Sequence, residues 1–143
     1  MAEIYELIKN DHNRIRGLLD SLLYAESDIS SRLRTVAEEL ELHLSAEEKS
    51  LYTTLKRTEG LIEQALESVE EHQVLRLCLD DIRHTAVNSP IWYPKIKVYK
   101  DIVDRHFDRE ETQILPRVRR LVERSRLQQI SERFREIRTP TAA

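Results

Sequence analysis

Cysteine, glycine and proline are scarce in this sequence: of 143 residues one is Cys, two are Gly and four are Pro. The single Cys78 excludes an internal disulfide and any Cys-rich zinc site. It points to a reducing, cytoplasmic compartment. The small stock of Gly and Pro leaves few of the tight turns that an all-β chain needs, and strand-like alternation is almost absent. No apolar run is long enough to cross a membrane. The segment from Met1 to Glu6 lacks the basic and apolar regions of a secretory signal.

What the sequence has is Leu, Glu and Arg, with 34% of residues charged, a composition suited to helices joined by short turns. The charge is uneven. Residues 1–116 carry 15 basic and 23 acidic side chains, net −8, whereas residues 117–138 carry eight Arg and three Glu, net +5. A basic tail can meet nucleic acid, but no DNA-reading motif accompanies it. Arg near a helix C-terminus suits the dipole, and a basic tail can lie on an acidic bundle. No nucleic-acid or membrane partner is expected.

Apolar residues recur at helical spacing in four long segments. Ile4, Ile8, Ile15, Leu19 and Leu22 mark a first helix over 3–25. Asp28 and Ser30 offer an N-cap to a second, which Leu33, Val36, Leu40, Leu44, Leu51 and Leu55 carry to about residue 57. After Gly60, Leu61, Ala65, Val69, Leu75, Leu79 and Ile82 define a third, ending near 85. Pro90 and Pro94 mark the connection to a fourth, running through Tyr99, Val103 and Ile114, which Pro116 should kink. A shorter helix over roughly 127–137 follows. The chain is therefore expected to be all-α, an up-and-down antiparallel four-helix bundle with a short C-terminal fifth helix. One domain spans 1–138, and 139–143 form a frayed tail.

Two segments repeat a pattern: His43-Leu-Ser-Ala-Glu47-Glu48 and His106-Phe-Asp-Arg-Glu110-Glu111. Four residues is one helical turn, so each His shares a face with its Glu, and that face is the apolar one. His12 lies on the inner stripe of the first helix and His72 on that of the third. Each helix thus sends one His inward, and the second and fourth also send a Glu. Mid-helix positions of an antiparallel bundle lie at similar depth, so all six side chains can converge. No inward Lys or Arg sits opposite the two carboxylates, and leaving them bare would cost several kcal/mol each. Metal cations remove that cost. Imidazole with carboxylate suits iron, manganese or zinc. Four His and two Glu balance two metals, with about two His each and both Glu shared. The plainer readings are hydrogen-bonded core histidines, surface His/Glu ion pairs, and a metal-free scaffold. His84, at the end of the third helix, falls outside the pattern.

These residues resemble the hemerythrin-like, or HHE cation-binding, family. The resemblance rests on Asn10-Asp11-His12, on His43-x-x-x-Glu47-Glu48-x-x-Leu51-Tyr52, on Glu71-His72 and on His106-x-x-x-Glu110-Glu111-x-x-Ile114-Leu115-Pro116. Arg133-Phe134-Arg135-Glu136-Ile137 looks like that family's last helix. The resemblance implies a non-haem di-iron centre. His12 and His43 would bind one iron, His72 and His106 the other. Glu47 and Glu110 would bridge them together with an oxo or hydroxo group, with manganese or zinc as possible substitutes. Glu48 and Glu111, rotated about 100° from their neighbours, would be surface or outer groups. Oxygen-carrying members have a further His one turn along the third helix, where this chain has Arg76, with Ser68 one turn the other way. Five His ligands become four, which leaves an open position on each iron. That favours binding or reacting with oxygen, nitric oxide or peroxide, in oxidative or nitrosative stress, iron homeostasis or sensing. Whether there is enzymatic turnover stays open. A metal- or gas-responsive sensor module is the alternative. Tyr5, Tyr24, Tyr52 and Tyr99 are candidate donors around the centre, Tyr99 being best placed and core packing its plainer role. The chain is expected to be a monomer or a dimer.

Overall fold

The structure, a computed structural model, describes residues 3–139. Among the described residues six α-helices follow one another: α1 (Ile4–Leu23), α2 (Ile29–Leu55), α3 (Ile62–Arg83), α4 (Trp92–Arg109), α5 (Leu115–Leu121) and α6 (Arg124–Arg138). A π-helical segment, Glu110–Ile114, joins α4 to α5 without a break. No strand occurs among the described residues. The fourth helix expected from the sequence is therefore α4, the π-segment and α5 in succession, and the short last helix is α6. Each of α1 and α3 packs on both α2 and α4, which closes a four-membered ring in up-and-down order. The α6 helix returns across α2 and α1, so the Arg-rich end of the chain lies on the bundle. Among the described residues no helix is long and apolar enough to cross a membrane. Of the expected frayed tail, Thr139 still donates its N–H to the Arg135 carbonyl (2.9 Å), and 140–143 lie outside the described residues.

Two local expectations change. Asp28 does precede α2, but in a left-handed conformation (φ 57°), and its side chain caps nothing. Its carbonyl instead accepts the Arg32 N–H (2.9 Å). Pro116 does not itself mark the irregularity. Its missing N–H and its ring conflict with the carbonyl four residues back. The conflict is absorbed upstream, where the π-segment shifts the backbone register so that Leu115 N–H donates to Glu110. Gly60, at φ +90°, turns the chain between α2 and α3, and Arg117 donates to its carbonyl at 2.7 Å.

The core is divided in two. One apolar cluster contains Leu19, Leu40, Leu79, Trp92, Ile96 and Phe107. The other contains Ile8, Leu51, Leu55, Leu61, Val118 and Phe134. Between them lies a buried polar layer of His12, His43, Glu47, His72, His106 and Glu110. Burying apolar area on both sides of the layer secures the four helices that carry it, and it leaves that layer out of contact with bulk water.

Candidate metal centre

All six residues expected from the sequence meet in this layer. His12 comes from α1, His43 and Glu47 from α2, His72 from α3, His106 from α4 and Glu110 from the first position of the π-segment. Even the least buried, His106, is only 5% exposed. Ligand-type atoms of His12, His43, Glu47 and Glu110 lie within 4.8 Å of one another, and so do those of His72, His106, Glu47 and Glu110. The layer thus holds two adjoining groups that share both carboxylates.

Every imidazole has its outer nitrogen committed. His12 Nδ1 pairs with Glu111 (2.7 Å), His43 Nδ1 with Asp11 (2.9 Å), His72 Nδ1 with Glu48 (2.7 Å) and His106 Nδ1 with Glu71 (2.5 Å). An ionised carboxylate only accepts, so each Nδ1 carries the proton and a neutral ring turns the Nε2 lone pair inward. The Nε2 atoms of His72 and His106 then face each other at 3.1 Å. His12 Nε2 lies 3.1 Å from a Glu110 oxygen, and His43 Nε2 and His72 Nε2 each lie 3.3 Å from a Glu47 oxygen. Lone pairs set against lone pairs repel unless a proton or a metal cation lies between them. Among the described residues, His12 Nε2, His43 Nε2, both Glu47 oxygens and one Glu110 oxygen find no hydrogen-bond donor or acceptor. Buried polar atoms are almost always paired, and five orphans converging on one layer is the donor set of a cation site.

The electrostatics follow from the same geometry. Burial, reinforced by the adjacent Glu110 charge, pushes the Glu47 carboxyl well above the usual carboxylate range. Glu110 moves the other way: against its burial, the Glu47 carboxyl and the His12 ring draw it well down. Two carboxylates this close hold one proton more readily than two negative charges, and a divalent cation does the same work. Burial disfavours charge on His12 and His72, but the carboxylates on both edges of each ring override it and raise both. Three of the outer carboxylates, Glu48, Glu71 and Glu111, are drawn below the usual carboxylate range by the histidine and arginine beside each. Against its partial burial, Glu48 is lowered to about 2 by His72 and Arg76.

Arginines complete each chain of contacts. Arg16 reaches Glu111 (3.0 Å), Arg76 reaches Glu48 (2.9 Å), Arg109 reaches Glu71 (2.5 Å) and Arg138 of α6 reaches Asp11 (2.7 Å). The pattern has a two-fold character. His12 and His43 sit 4.9 Å apart between ring centroids at 73°, and His72 and His106 sit 4.9 Å apart at 74°. Arg16 follows His12 by one turn as Arg76 follows His72. So Arg76 serves an outer role that its counterpart in the other half shares. The symmetry fails behind Asp11 and Glu71, where Arg138 of α6 answers to Arg109 of α4, and five residues past each Glu, where Tyr52 matches Leu115. The Tyr52 hydroxyl donates to Glu110 from within the layer, and burial beside Glu110 and Glu47 raises its own pKa well up. Tyr99, the better candidate from sequence, donates to the Leu75 carbonyl (3.1 Å) in the apolar core instead. His84 is exposed and donates to the Asp80 carbonyl, as expected of a residue outside the set.

Four outer residues hold the rings: Glu48 and Glu111, which the sequence leaves as surface or outer groups, and Asp11 and Glu71, to which it gives no role. Each is the immediate neighbour of a site residue, and each serves a histidine on a different helix. An acidic residue next to His12, Glu47, His72 and Glu110, one on each of the four long helical segments, is the signal in the sequence.

Comparisons with known proteins agree with this geometry. The profile of the hemerythrin HHE cation-binding domain matches residues 3–118. No curated protein matches the chain. A crystal structure of a hemerythrin HHE cation-binding domain-containing protein from Mycobacterium kansasii superimposes with a TM-score of 0.82, at 20% identity, over 96% of this chain and 88% of that one. At that identity the likeness speaks for the fold. The matched profile covers α1 to α4 and the whole polar layer, and on that ground the chain belongs to the hemerythrin HHE cation-binding domain family.

Proposed function

We propose that this protein holds two non-haem iron ions and binds or reacts with oxygen, nitric oxide or peroxide. One observation carries the reading: five orphaned, inward-facing ligand atoms in a layer whose every outer nitrogen is already spoken for. His12 and His43 would hold one ion and His72 and His106 the other, with Glu47 and Glu110 shared between them. An iron pair held there, with an oxo or hydroxo group from solvent, would supply redox-active centres, and four histidines where oxygen carriers have five would leave room for a small ligand. The protein's own contribution can be read residue by residue. Asp11, Glu48, Glu71 and Glu111 keep the proton on Nδ1, so that Nε2 is the donor, and they raise ring basicity. The arginines behind them pair with these carboxylates and fix their position. The two apolar clusters exclude bulk water and restrict access to small ligands. Tyr52 holds a proton beside Glu110, where it orients the shared carboxylate.

A sensor without turnover is the second reading, and one contact favours it. Arg138 ends α6 and joins Asp11, which in turn holds His43. Changes at the centre therefore have a direct route to the last helix. A cytoplasmic home fits either reading, since Cys78 has no partner within the chain. The deciding experiment is metal content with the optical spectrum of the aerobically purified full chain, before and after reduction and with nitric oxide or peroxide added. About two irons per chain, with charge-transfer bands that respond to these ligands, are expected. Stoichiometric zinc, or no bound metal, would overturn the proposal.

A further inference from the structure

Exposed hydrophobic residues concentrate on α3, α4 and the turn that joins them. Ten large hydrophobic residues are exposed among the described residues, and eight of them fall between Ile62 and Val98. Leu66, Val74 and Leu77 share one face of α3, with Leu77 70% exposed. Ile91 and Val98 share one face at α4, with Val98 57% exposed. A groove of about 510 Å³ runs between the two stripes, lined by Leu77, Cys78, Ile91, Val98 and Ile102. The α6 helix covers α1 and α2 and leaves this side open. A contiguous patch of this kind on a chain of this size is a contact surface.

Charge identifies its occupant. On the side of α3 that carries Leu66 and Leu77 the charged residues are Glu63, Glu67, Glu70 and Asp81, and on the side of α4 that carries Val98 they are Lys95, Arg105 and Arg109 with one acid, Asp101. One face thus offers an acidic half and a basic half on either side of an apolar seam. Lys95 pairs with Asp81 (2.8 Å) and Arg109 with Glu67 (2.8 Å), which fixes the two helices antiparallel with Leu77 level with Val98. Rotating a second copy about an axis parallel to the helices lays each α3 antiparallel on the other copy's α4. Leu77 then meets Val98, and the acidic half meets the basic half. Glu70 and Arg105, both exposed and without an ion pair among the described residues, come to face each other across the seam. The alternative axis would stack acidic α3 on acidic α3. Two helices about 30 Å long and about 10 Å wide present about 600 Å² per copy, at the lower end of stable interfaces.

We infer that this protein forms a two-fold symmetric dimer through its α3–α4 face, each α3 packing on the other copy's α4. The test is sedimentation of the purified, full-length protein over a concentration series. The expected result is a reversible dimer. Leu77→Asp and Val98→Asp, on different helices, should each weaken it at least about tenfold, because an unpaired carboxylate would be buried in the seam. Metal content and helicity serve as folding controls for both. Glu70→Arg and Arg105→Glu should each weaken the dimer severalfold, and the double swap should restore it. A wild-type monomer at every concentration would overturn the inference, including one whose open face binds lipid vesicles. So would a dimer indifferent to both Asp variants. A double swap without rescue would overturn the pairing of α3 with α4. None of these outcomes depends on which metal the centre holds.

Discussion

If the outer carboxylates orient the histidines, their removal should weaken metal binding in proportion to how deeply each is buried. Asp11 and Glu71 make the sharpest comparison, because they occupy equivalent places in the two halves, on His43 and on His106. The Asp11 side chain is 12% exposed and its Oδ2 accepts from both His43 Nδ1 and Arg138 Nε. The Glu71 side chain is 40% exposed. Asp11→Ala leaves a ring N–H and a guanidinium facing each other at a position only 12% exposed, where water replaces the lost acceptor less readily than at Glu71. Losses of this kind run from about tenfold to about a hundredfold in metal affinity, and Asp11→Ala belongs at the upper end, about 2.7 kcal/mol. Glu71→Ala opens its site to water, which accepts from His106 in its place, so about tenfold is expected. Asp11→Asn keeps an acceptor without its charge and should fall between them. Competition of zinc against a chromophoric chelator measures all three without redox chemistry, with thermal melting as the control for folding. Affinities within about threefold of the parent for both Ala variants would reduce the carboxylates to ordinary ion pairs and refute the orienting role. Equal losses at the two positions would refute the argument from burial.

Three further outcomes are expected. Arg138→Ala removes charge-assisted contacts to Asp11 (2.7 Å) and Glu39 (3.2 Å) and should destabilise the fold by about 1–3 kcal/mol, read in urea melts, with a smaller loss of metal affinity than Asp11→Ala; an unchanged melt would mean that α6 is held by Ile130 and Phe134 alone. Tyr52→Phe should shift the optical spectrum of the loaded protein, because Glu110 loses its donor, whereas Tyr99→Phe should leave the spectrum unchanged and cost about 1 kcal/mol of stability from the lost bond to Leu75; spectra moving together would refute the separation of the two tyrosines. Stripping the metal with a chelator should lower the melting temperature by about 10 °C, since cation at a hundred times its Kd contributes about 2.7 kcal/mol; identical melts would show that protons alone satisfy the polar layer.

The helices were legible because their signal is redundant. Missing one residue of an apolar stripe does not move a helix of twenty or more residues, and α1, α2 and α3 end within about two residues of the expected positions. The errors lie where backbone geometry, not side-chain pattern, decides. A π-segment has no composition of its own. Glu110 to Ile114 reads as ordinary helix until Pro116 demands somewhere to put a displaced carbonyl, and sequence says only that a conflict exists near there. Asp28 has the chemistry of a cap, but a left-handed backbone points its side chain elsewhere.

The polar layer was legible for a different reason. Buried charge is costly, so six inward polar residues at four helix centres demand one shared partner, and helix register alone sets them at one depth. Glu48 and Glu111 could be read only as surface or outer groups, and Asp11 and Glu71 not at all, because the contacts of all four cross between helices. Asp11 stands beside His12 in sequence yet serves His43, and Glu71 stands beside His72 yet serves His106. Adjacent residues on a helix point about 100° apart, so a neighbour of an inward residue flanks the core face and leans towards the next helix. Periodicity ranks Asp11 and Glu71 as surface positions. Only the packing of α1 on α2 and of α3 on α4 turns them inward, each onto the histidine of the adjoining helix. Tyr52 and Tyr99 reverse for the same reason. Counting turns from His106 put Tyr99 near the centre along its own helix, but reach across the bundle is what matters, and Tyr52 projects from α2 into the layer at the level of Glu110. A ligand set can be read along each helix separately; what holds the ligands can be read only between helices.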